Sequence, residues 1–318
     1  MAGTGARRYW WIWAAVIPIL LWALTRAFGL ERGFPLVPMI AYTPYVAVIA
    51  LLVSGVAVAL RNWAAAVVAG LATVCLMAAV LPRAFGSGET IPPGATELNV
   101  LSANIHYGGA DPVALVALVQ RREADILFVQ ELTPGFARKL AEAGIRRRLP
   151  HSVLSVRPRA AGAGIYSRLP LRRLSEVAPF GFRMARAEAR LPDGRLVRVV
   201  DVHPYTPKRQ LIDRWREGLE SLPSTGAGAP WLLVGDFNAT LDHAELRDVI
   251  DRGYRDAADE TGEGLTPTWP RGSVLLPAVT IDHVLADRRF LIGDYGLDSL
   301  PGSDHRAIFA RLALTPEP

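Results

Sequence analysis

Long uncharged apolar stretches fill the first third of the chain. Trp10–Thr25, Gly33–Leu60 and Asn62–Pro82 contain 16, 28 and 21 consecutive residues without a charged side chain. A membrane-spanning helix needs about 20 predominantly apolar residues. The first stretch reaches that length if the charged head of Arg26 extends to the interface. The pattern therefore predicts three transmembrane helices, at about residues 10–30, 38–60 and 62–82, which form a membrane anchor over residues 1–85.

Other interpretations of the first stretch explain the sequence less well. A cleaved signal peptide would show a small-x-small cleavage site after the apolar segment, and none is clear here. Buried helices of a soluble domain would need a large apolar partner. Three spans place the two termini on opposite sides of the membrane, and the flanking arginines divide evenly between the sides. Because the first helix usually dominates, Arg7 and Arg8 favour a cytoplasmic N-terminus and an extracytoplasmic C-terminal domain.

A Gly- and Pro-rich linker at residues 86–95 separates this anchor from a segment with a different pattern. Residues 96–318 alternate short apolar strands with amphipathic helices, and they are numerous enough for one large core. The predicted strands are 97–104, 125–131, 151–157, 163–168, 184–191, 195–202, 231–236, 278–286 and 307–313. The predicted helices are 111–123, 134–143, 206–222 and one near 243–252. Asp-Gly within residues 191–195 predicts a hairpin turn. The order of elements indicates an α/β domain with two stacked sheets.

Composition and charge narrow the class of protein. The chain has 318 residues, of which 51% are hydrophobic, and a net charge of +5. Residues 96–318 contribute 29 Lys and Arg against 28 Asp and Glu, so most of the net charge belongs to the predicted anchor. This excludes a disordered chain and a nucleic-acid binder that works by bulk positive charge. With Cys75 as its single cysteine, the chain forms no intramolecular disulfide and no cysteine-based zinc site.

Polar side chains occur at the ends of the predicted strands in a regular rhythm along the C-terminal segment. Strand ends at one edge of a sheet meet in space, so these groups are expected to share one cleft. Each alone has an ordinary structural explanation, such as a turn cap, an Asx turn or a surface ion pair. Their joint occurrence in this order favours a site, whose members are Asn104, Glu131, His203, Asp236, Asn238, Asp282, Asp304 and His305.

The chemistry of this set points to one class of reaction. It contains carboxylates, imidazoles and amides, with no pattern of a serine or cysteine nucleophile. Hard oxygen ligands suit Mg²⁺ or Mn²⁺ better than Zn²⁺. A divalent cation beside two histidines suits metal-assisted attack of water on a phosphorus centre.

The same residues stand in motifs that resemble the endonuclease/exonuclease/phosphatase (DNase I-like) superfamily, across residues 97–314. The motifs are NVLSANI, DILFVQE, VDVHP, GDFN, IDHVLA and SDH. The resemblance implies a four-layer α/β/β/α sandwich and a metal-dependent phosphoric ester hydrolase. It further implies that Glu131 binds Mg²⁺, that Asn104 holds the metal or the phosphate, and that Asp304 adds a metal contact. DNA-repair members carry an acid where this chain has His106, so that ligand is absent or replaced.

The catalytic roles also follow from the resemblance. His305, oriented by Asp282, would act on the attacking water or the phosphate. Asp236 would orient or deprotonate the water, and which of His305 and Asp236 is the base stays open. Asn238 would hydrogen-bond the phosphoryl oxygens, and His203 would donate to the phosphate or the leaving oxygen. The segment 266–269 is either a packing loop or a substrate contact.

The layout of anchor and domain is similar to membrane-bound actinobacterial members, including VanJ-like teicoplanin-resistance proteins. We therefore expect a membrane-anchored phosphoesterase whose substrate is a lipid-linked or small phosphoester or pyrophosphate. The alternative is a tethered extracytoplasmic nuclease. Residues 146–148 form the only dense basic run, which is typical of a solvated helix end rather than a DNA track. A binding module with a dead site is disfavoured because none of the expected catalytic side chains is missing.

Overall fold

The structure is a computed structural model that describes residues 9–175, 184–272 and 277–314. The chain divides into two compact units. One comprises Met1–Pro82 with Leu241–Ala244, and the other comprises Arg83–Thr240 with Glu245–Pro318.

The first unit is helical. A 3-10 turn at Trp10–Ile12 precedes helices α1 (Trp13–Phe28), α2 (Leu36–Ile40), α3 (Thr43–Ala59) and α4 (Trp63–Val80). Gly29 caps the C-terminus of helix α1, and its φ of 59° suits a residue without a side chain. Asn62 caps the N-terminus of helix α4, and its side chain accepts a hydrogen bond from the backbone of Ala65 at 3.3 Å.

Two of the three predicted membrane spans correspond to helices of sufficient length and apolarity. These are Trp10–Phe28 and Trp63–Ala84, and no third such helix occurs among the described residues. The span predicted at 38–60 falls on α2 and α3, and α3 has 17 residues. Pro44 lies in the first turn of α3, where a proline favours a helix start and so shortens the continuous segment. The prediction of three spans is not confirmed, and Arg7 and Arg8 lie outside the described residues.

The second unit alternates strands and helices along the chain. After a 3-10 turn at Leu81–Ala84, its first half contains β1 (Thr96–Asn104), α5 (Pro112–Arg121), β2 (Ile126–Gln130), α6 (Pro134–Glu142), α7 (Ile145–Arg148), β3 (His151–Ser155), a 3-10 turn at Arg159–Ala161, β4 (Ala163–Ser167) and β5 (Leu171–Arg173). Its second half contains β6 (Arg186–Arg190), β7 (Leu196–Val202), α8 (Ile212–Glu220), β8 (Trp231–Asp236), α9 (Ala244–Ile250), β9 (Tyr254–Asp256), α10 (Ala257–Glu260), β10 (Asp282–Asp287), β11 (Phe290–Ser299) and β12 (Arg306–Leu314).

The described strands form two sheets of six. The first has the order β11-β12-β1-β2-β4-β3, and the second has the order β5-β6-β7-β8-β10-β9. Each sheet contains one parallel pair, β1 with β2 and β7 with β8, while the other pairs are antiparallel. Two mixed sheets with helices agree with the predicted DNase I-like α/β sandwich.

Side chains alternate between the two faces of each strand, because the period of a strand is two residues. In β1 and β2, Val100 and Phe128 belong to a core cluster that contains side chains of both sheets. Their neighbours Leu101 and Val129 face the other way and pack with α5 and α6. On the second sheet, Trp215 of α8 is fully buried. One face of each sheet therefore packs against the other sheet.

The structure corrects several element boundaries. The helix predicted over 206–222 is confined to Ile212–Glu220, and the strand predicted from residue 278 begins at Asp282. Strands β5, β9 and β11 were not predicted. The ten residues of β11 contain two glycines, two aspartates and a serine, residues that are common in loops. Pairing along β12, with a register shift between Ile292 and Asp294, stabilises this strand where local propensity does not.

Candidate active site

The first sheet contributes an amide and a carboxylate from its parallel pair. Asn104 is the last residue of β1, and Glu131 follows β2 directly. The β1–β2 register pairs Asn104 with Gln130, so Glu131 lies at the end of the sheet where β1 ends. Glu131 has a φ of 62°, an uncommon backbone conformation for a residue with a side chain. One carboxylate oxygen of Glu131 accepts a hydrogen bond from the backbone of Tyr107 at 2.5 Å.

The second sheet contributes the remaining groups. His203 follows β7, and Asp236 ends β8, so the parallel pair again brings two strand ends together. Asp282 begins β10, which runs antiparallel to β8, and the register places it opposite Asp236. Because β10 runs antiparallel to β8, it starts at the edge of the sheet where β8 ends. Asp282 therefore lies at the same edge, at the start of its strand. The sequence predicts it inside the strand 278–286.

The two halves meet through a direct hydrogen bond. The Asn104 side-chain nitrogen donates to one oxygen of Asp236 at 3.0 Å, and both residues are buried. The other oxygen of Asp236 accepts from the backbone nitrogen of Asn238 at 2.8 Å. Asn238, with a φ of 49°, also donates its side-chain amide to the carbonyl of Pro204 at 3.3 Å. The structure therefore joins these polar groups in one buried cluster.

His305 lies against two carboxylates. Its Nδ1 is 2.9 Å from an oxygen of Asp282, and its Nε2 is 3.8 Å from an oxygen of Asp236. Burial lowers the pKa of His305, but the charges of Asp282 and Asp236 outweigh it and raise the pKa to about 10. The imidazole is therefore protonated at neutral pH.

Burial shifts the pKa values of Asp236 and His203 in opposite directions. Burial raises the pKa of Asp236 to about 7, against the lowering effect of the charge on His305. Burial also lowers the pKa of His203 to about 4, and the charge of His305 adds to that effect. Nε2 of His203 lies 3.7 Å from Asp236 and 3.9 Å from Glu131. His203 is thus neutral at neutral pH and keeps one N–H to donate.

The donor set around Glu131 fits a hard cation. Burial raises the pKa of Glu131, while the Tyr107 backbone, the Asn104 amide and the charge of His305 lower it. Carboxylate oxygens are ligands that Mg²⁺ and Mn²⁺ prefer. The amide oxygen of Asn104, the second predicted ligand, accepts a hydrogen bond from the backbone of His106 at 3.0 Å. A second group, Asp236, Asp282 and His305, also has ligand atoms within 4.8 Å of one another. In that group the protonated imidazole already supplies one positive charge beside the two carboxylates.

Asp304, predicted as a further metal contact, has both oxygens engaged. One lies 2.9 Å from Nδ1 of His106, and the other accepts a hydrogen bond from the indole of Trp269 at 3.0 Å. The Trp269 ring lies 6.3 Å from the ring of His305, centroid to centroid. The segment 266–269 therefore lines the site through Trp269, and His106 contacts the site through Asp304.

Three further side chains form hydrogen bonds around the site and are not among the predicted site residues. The Ser303 hydroxyl donates to the carbonyl of Asn104 at 2.7 Å and accepts from the backbone of His305 at 3.0 Å. The Thr268 hydroxyl accepts from the backbone of Asp282 at 3.2 Å. Nδ1 of the fully buried His283 lies 2.6 Å from Asp256. The motifs SDH and IDH contained two of these residues, but only the fold shows their partners.

Comparison with known proteins agrees with this geometry. The model of the "Endonuclease/Exonuclease/phosphatase family" matches residues 101–305, which span every candidate residue described above. The chain belongs to the endonuclease/exonuclease/phosphatase family. Enzymes of this family are metal-dependent phosphoesterases, and the chain is a hydrolase of that class. A search of the curated proteins found no significant match.

Solved structures of family members share the fold. An endonuclease/exonuclease/phosphatase from Beutenbergia cavernae is 18% identical, with a TM-score of 0.53 over 69% of this chain and 72% of that one. TDP2 of D. rerio, complexed with a single-strand DNA product, is 17% identical, with a TM-score of 0.55 over 68% of this chain and 99% of that one. Truncated TDP2 of Caenorhabditis elegans is 19% identical, with a TM-score of 0.55 and coverages of 68% and 98%.

Proposed function

We propose that this family member is a membrane-anchored, Mg²⁺-dependent phosphoesterase that hydrolyses a lipid-linked or small phosphoester or pyrophosphate. The observation that carries the proposal is the apolar surface of the first unit, in a chain that also contains the active site. Most of the large apolar side chains that are exposed in the structure belong to residues 10–85. Only 22% and 39% of the two candidate spans is buried, so a lipid environment would cover surface that protein does not. We place the catalytic domain outside the cytoplasm.

In the proposed reaction, water attacks phosphorus while the bond to the leaving oxygen breaks. Asp236 takes the proton from the water, because its pKa of about 7 allows it to be ionised at neutral pH. The protonated His305, held by Asp282, donates a hydrogen bond to the phosphoryl oxygens as negative charge develops. Asn238 adds a neutral donor there. The N–H of the neutral His203 donates a hydrogen bond to the leaving oxygen, which departs as an anion and takes its proton from solvent.

Glu131 and Asn104 would hold the metal ion. Asp304, the third predicted contact, would bind it in addition to, or in place of, its bonds to His106 and Trp269. When bound, a divalent cation supplies electrostatic stabilisation of the phosphoryl oxygens. The chain supplies a buried carboxylate whose charged form a neighbouring cation favours. Asn104 also ties this carboxylate to Asp236, so the metal position and the base belong to one hydrogen-bonded group.

Replacing Glu131 by glutamine is expected to raise the Mg²⁺ concentration that gives half-maximal rate by about tenfold or more, because it removes one negative charge from the metal position. Glutamine keeps the size of the side chain and an acceptor for the Tyr107 backbone. The measurement is a Mg²⁺ titration of rate, beside Glu142→Gln as a control at a position on α6. Equal titration curves for Glu131→Gln and the unaltered protein would remove Glu131 from the metal site.

A nuclease is the second candidate, because the D. rerio TDP2 structure contains a single-strand DNA product. The near-balance of 29 basic and 28 acidic residues over 96–318 argues for the first candidate, since nucleases commonly carry a basic stripe along the phosphates.

The full chain in detergent separates the two candidates. We would assay it with Mg²⁺ or EDTA on a polyprenyl pyrophosphate and, side by side, on supercoiled plasmid, with His305→Ala as the matched inactive variant. We expect phosphate release from the lipid that requires both Mg²⁺ and His305, with the plasmid intact. Plasmid nicking with an untouched lipid would instead establish the nuclease.

A further inference from the structure

The inner faces of the two sheets change from apolar to polar one layer before the active site. Val100 and Phe128 of the first sheet, and Val199 of the second, belong to the apolar core between the sheets. Two residues further along the same strands, on the same faces, stand Ser102, Gln130 and Asp201. All three side chains are buried, with Gln130 and Asp201 at 0% exposure. A buried polar layer costs free energy unless its groups are bonded to one another.

The amide of Gln130 connects the sheets within this layer. Its nitrogen lies 2.6 Å from one oxygen of Asp201 and 3.0 Å from the hydroxyl of Ser102. Its oxygen lies 3.3 Å from the same hydroxyl. The other oxygen of Asp201 accepts a hydrogen bond from the backbone of Gly164 in the first sheet at 2.8 Å. A side chain of each sheet is therefore hydrogen-bonded to a group of the other.

Gln130 also lies against the backbone that leads into the base. A Cβ built on Gly235 would be 2.9 Å from the Gln130 amide nitrogen and 2.2 Å from the carbonyl of Val202. Gly235 has a φ of 145°, so only glycine allows this approach without strain. The residue after Gly235 is Asp236, the residue after Gln130 is Glu131, and the second residue after Asp201 is His203.

We propose that Gln130 is a positioning residue for the phosphoesterase reaction, whose amide clasps Asp201 and sets the placement of Glu131 relative to His203 and Asp236. The proposal rests on the proposed active site, to which each sheet contributes one half. Without the clasp, the hydrogen bond from the Gly164 backbone to Asp201 still links the sheets at this level, but the side chain of Gln130 no longer ties the strand that leads into Glu131 to the second sheet. Misplacement of reacting groups by about 1 Å costs up to about 100-fold in rate.

Burial raises the pKa of Asp201 to about 7, against the lowering effect of its hydrogen bonds from Gln130, Gly164 and Val129. Gln130→Glu would set two carboxyl groups against each other, and Asp201→Asn would set two amide nitrogens against each other. Combining the two substitutions exchanges the donor and the acceptor and leaves the number of charges unchanged. The exchanged pair can therefore form the same clasp with reversed polarity.

The test compares Gln130→Leu, Gln130→Glu, Asp201→Asn and the exchanged double variant in the full chain. We expect each single variant to lower kcat by about 10- to 100-fold, with a change in KM of less than about threefold. The single variants should also need more Mg²⁺ to raise the melting temperature, a readout that does not depend on turnover. The double variant should recover kcat to within about fivefold of the original. Ser167→Ala is the control, because Ser167 is buried in β4 and caps Leu169 at the opposite end of the sheet.

Failure of this proposal differs from failure of the proposed site. If His305→Ala abolishes turnover while Gln130→Leu retains kcat within about twofold and binds Mg²⁺ as before, the site stands and the positioning role is wrong. If the double variant folds but shows only the product of the two single losses, the clasp does not act as a pair, which also overturns the proposal. If Ser167→Ala lowers kcat as much as Gln130→Leu, the loss of kcat reflects reduced stability rather than positioning, and the proposal is overturned.

Discussion

Replacing His305 by alanine is expected to lower kcat at neutral pH by at least about 100-fold. The imidazole lies 2.9 Å from Asp282 and 3.8 Å from Asp236, with a pKa of about 10. It is therefore a buried cation beside the proposed base, and alanine removes both its charge and its proton. The measurement is steady-state kinetics of the full chain on the substrate that the two-substrate assay identifies, corrected for the folded fraction by circular dichroism.

Two further variants separate lost chemistry from lost structure. His305→Gln keeps a side-chain amide that can donate to Asp282 but cannot carry the positive charge, so we expect a loss of similar size. His151→Ala is the matched control, because His151 is an exposed residue of β3. Normal turnover in His305→Ala would exclude His305 as a catalytic group. An equal loss of turnover in His151→Ala would show that the loss does not depend on the position of the substituted histidine.

The sequence predicts which polar residues lie near one another at the candidate site. It predicts the hydrogen bonds that support these residues less well. Asn104, Glu131, His203 and Asp236 are visible because each ends an apolar strand, and strand ends at one edge meet. Asp282 lies inside the predicted strand 278–286, where a carboxylate needs a partner, and the structure pairs it with His305. Each of these signals is local, because it depends on a few residues around the polar group.

The hydrogen bonds beneath the site are invisible to the same reasoning. Gln130 reads as an ordinary strand residue before Glu131, and Asp201 as a polar residue near the end of another strand. Their contact joins residues 71 positions apart. It depends on how the two sheets stack, which no local pattern encodes. The same limit applies to β11, where pairing with β12 overrides a composition typical of loops.

Replacing Asp236 by asparagine is expected to lower kcat/KM by about 100- to 10,000-fold and to remove the acid limb of its pH profile. The carboxylate must be deprotonated to accept the proton of water, so the rate of the unaltered enzyme should rise with pH up to about 7. The rate should fall again as pH approaches 10, because His305 then loses the proton that it donates. A bound divalent cation moves the acid limb to lower pH, since positive charge favours the ionised carboxylate.

Asp282→Asn is the matched comparison, since it removes a carboxylate from the same site and leaves the base in place. We expect it to keep the acid limb, moved to lower pH because the pKa of Asp236 loses the raising effect of Asp282. The alkaline limb should also move to lower pH, because the pKa of His305 loses the same effect. The profiles of kcat/KM against pH decide between the two candidate bases. An acid limb that persists in Asp236→Asn would exclude Asp236 as the base. An acid limb that persists there and disappears in Asp282→Asn would assign the proton transfer to the Asp282–His305 pair.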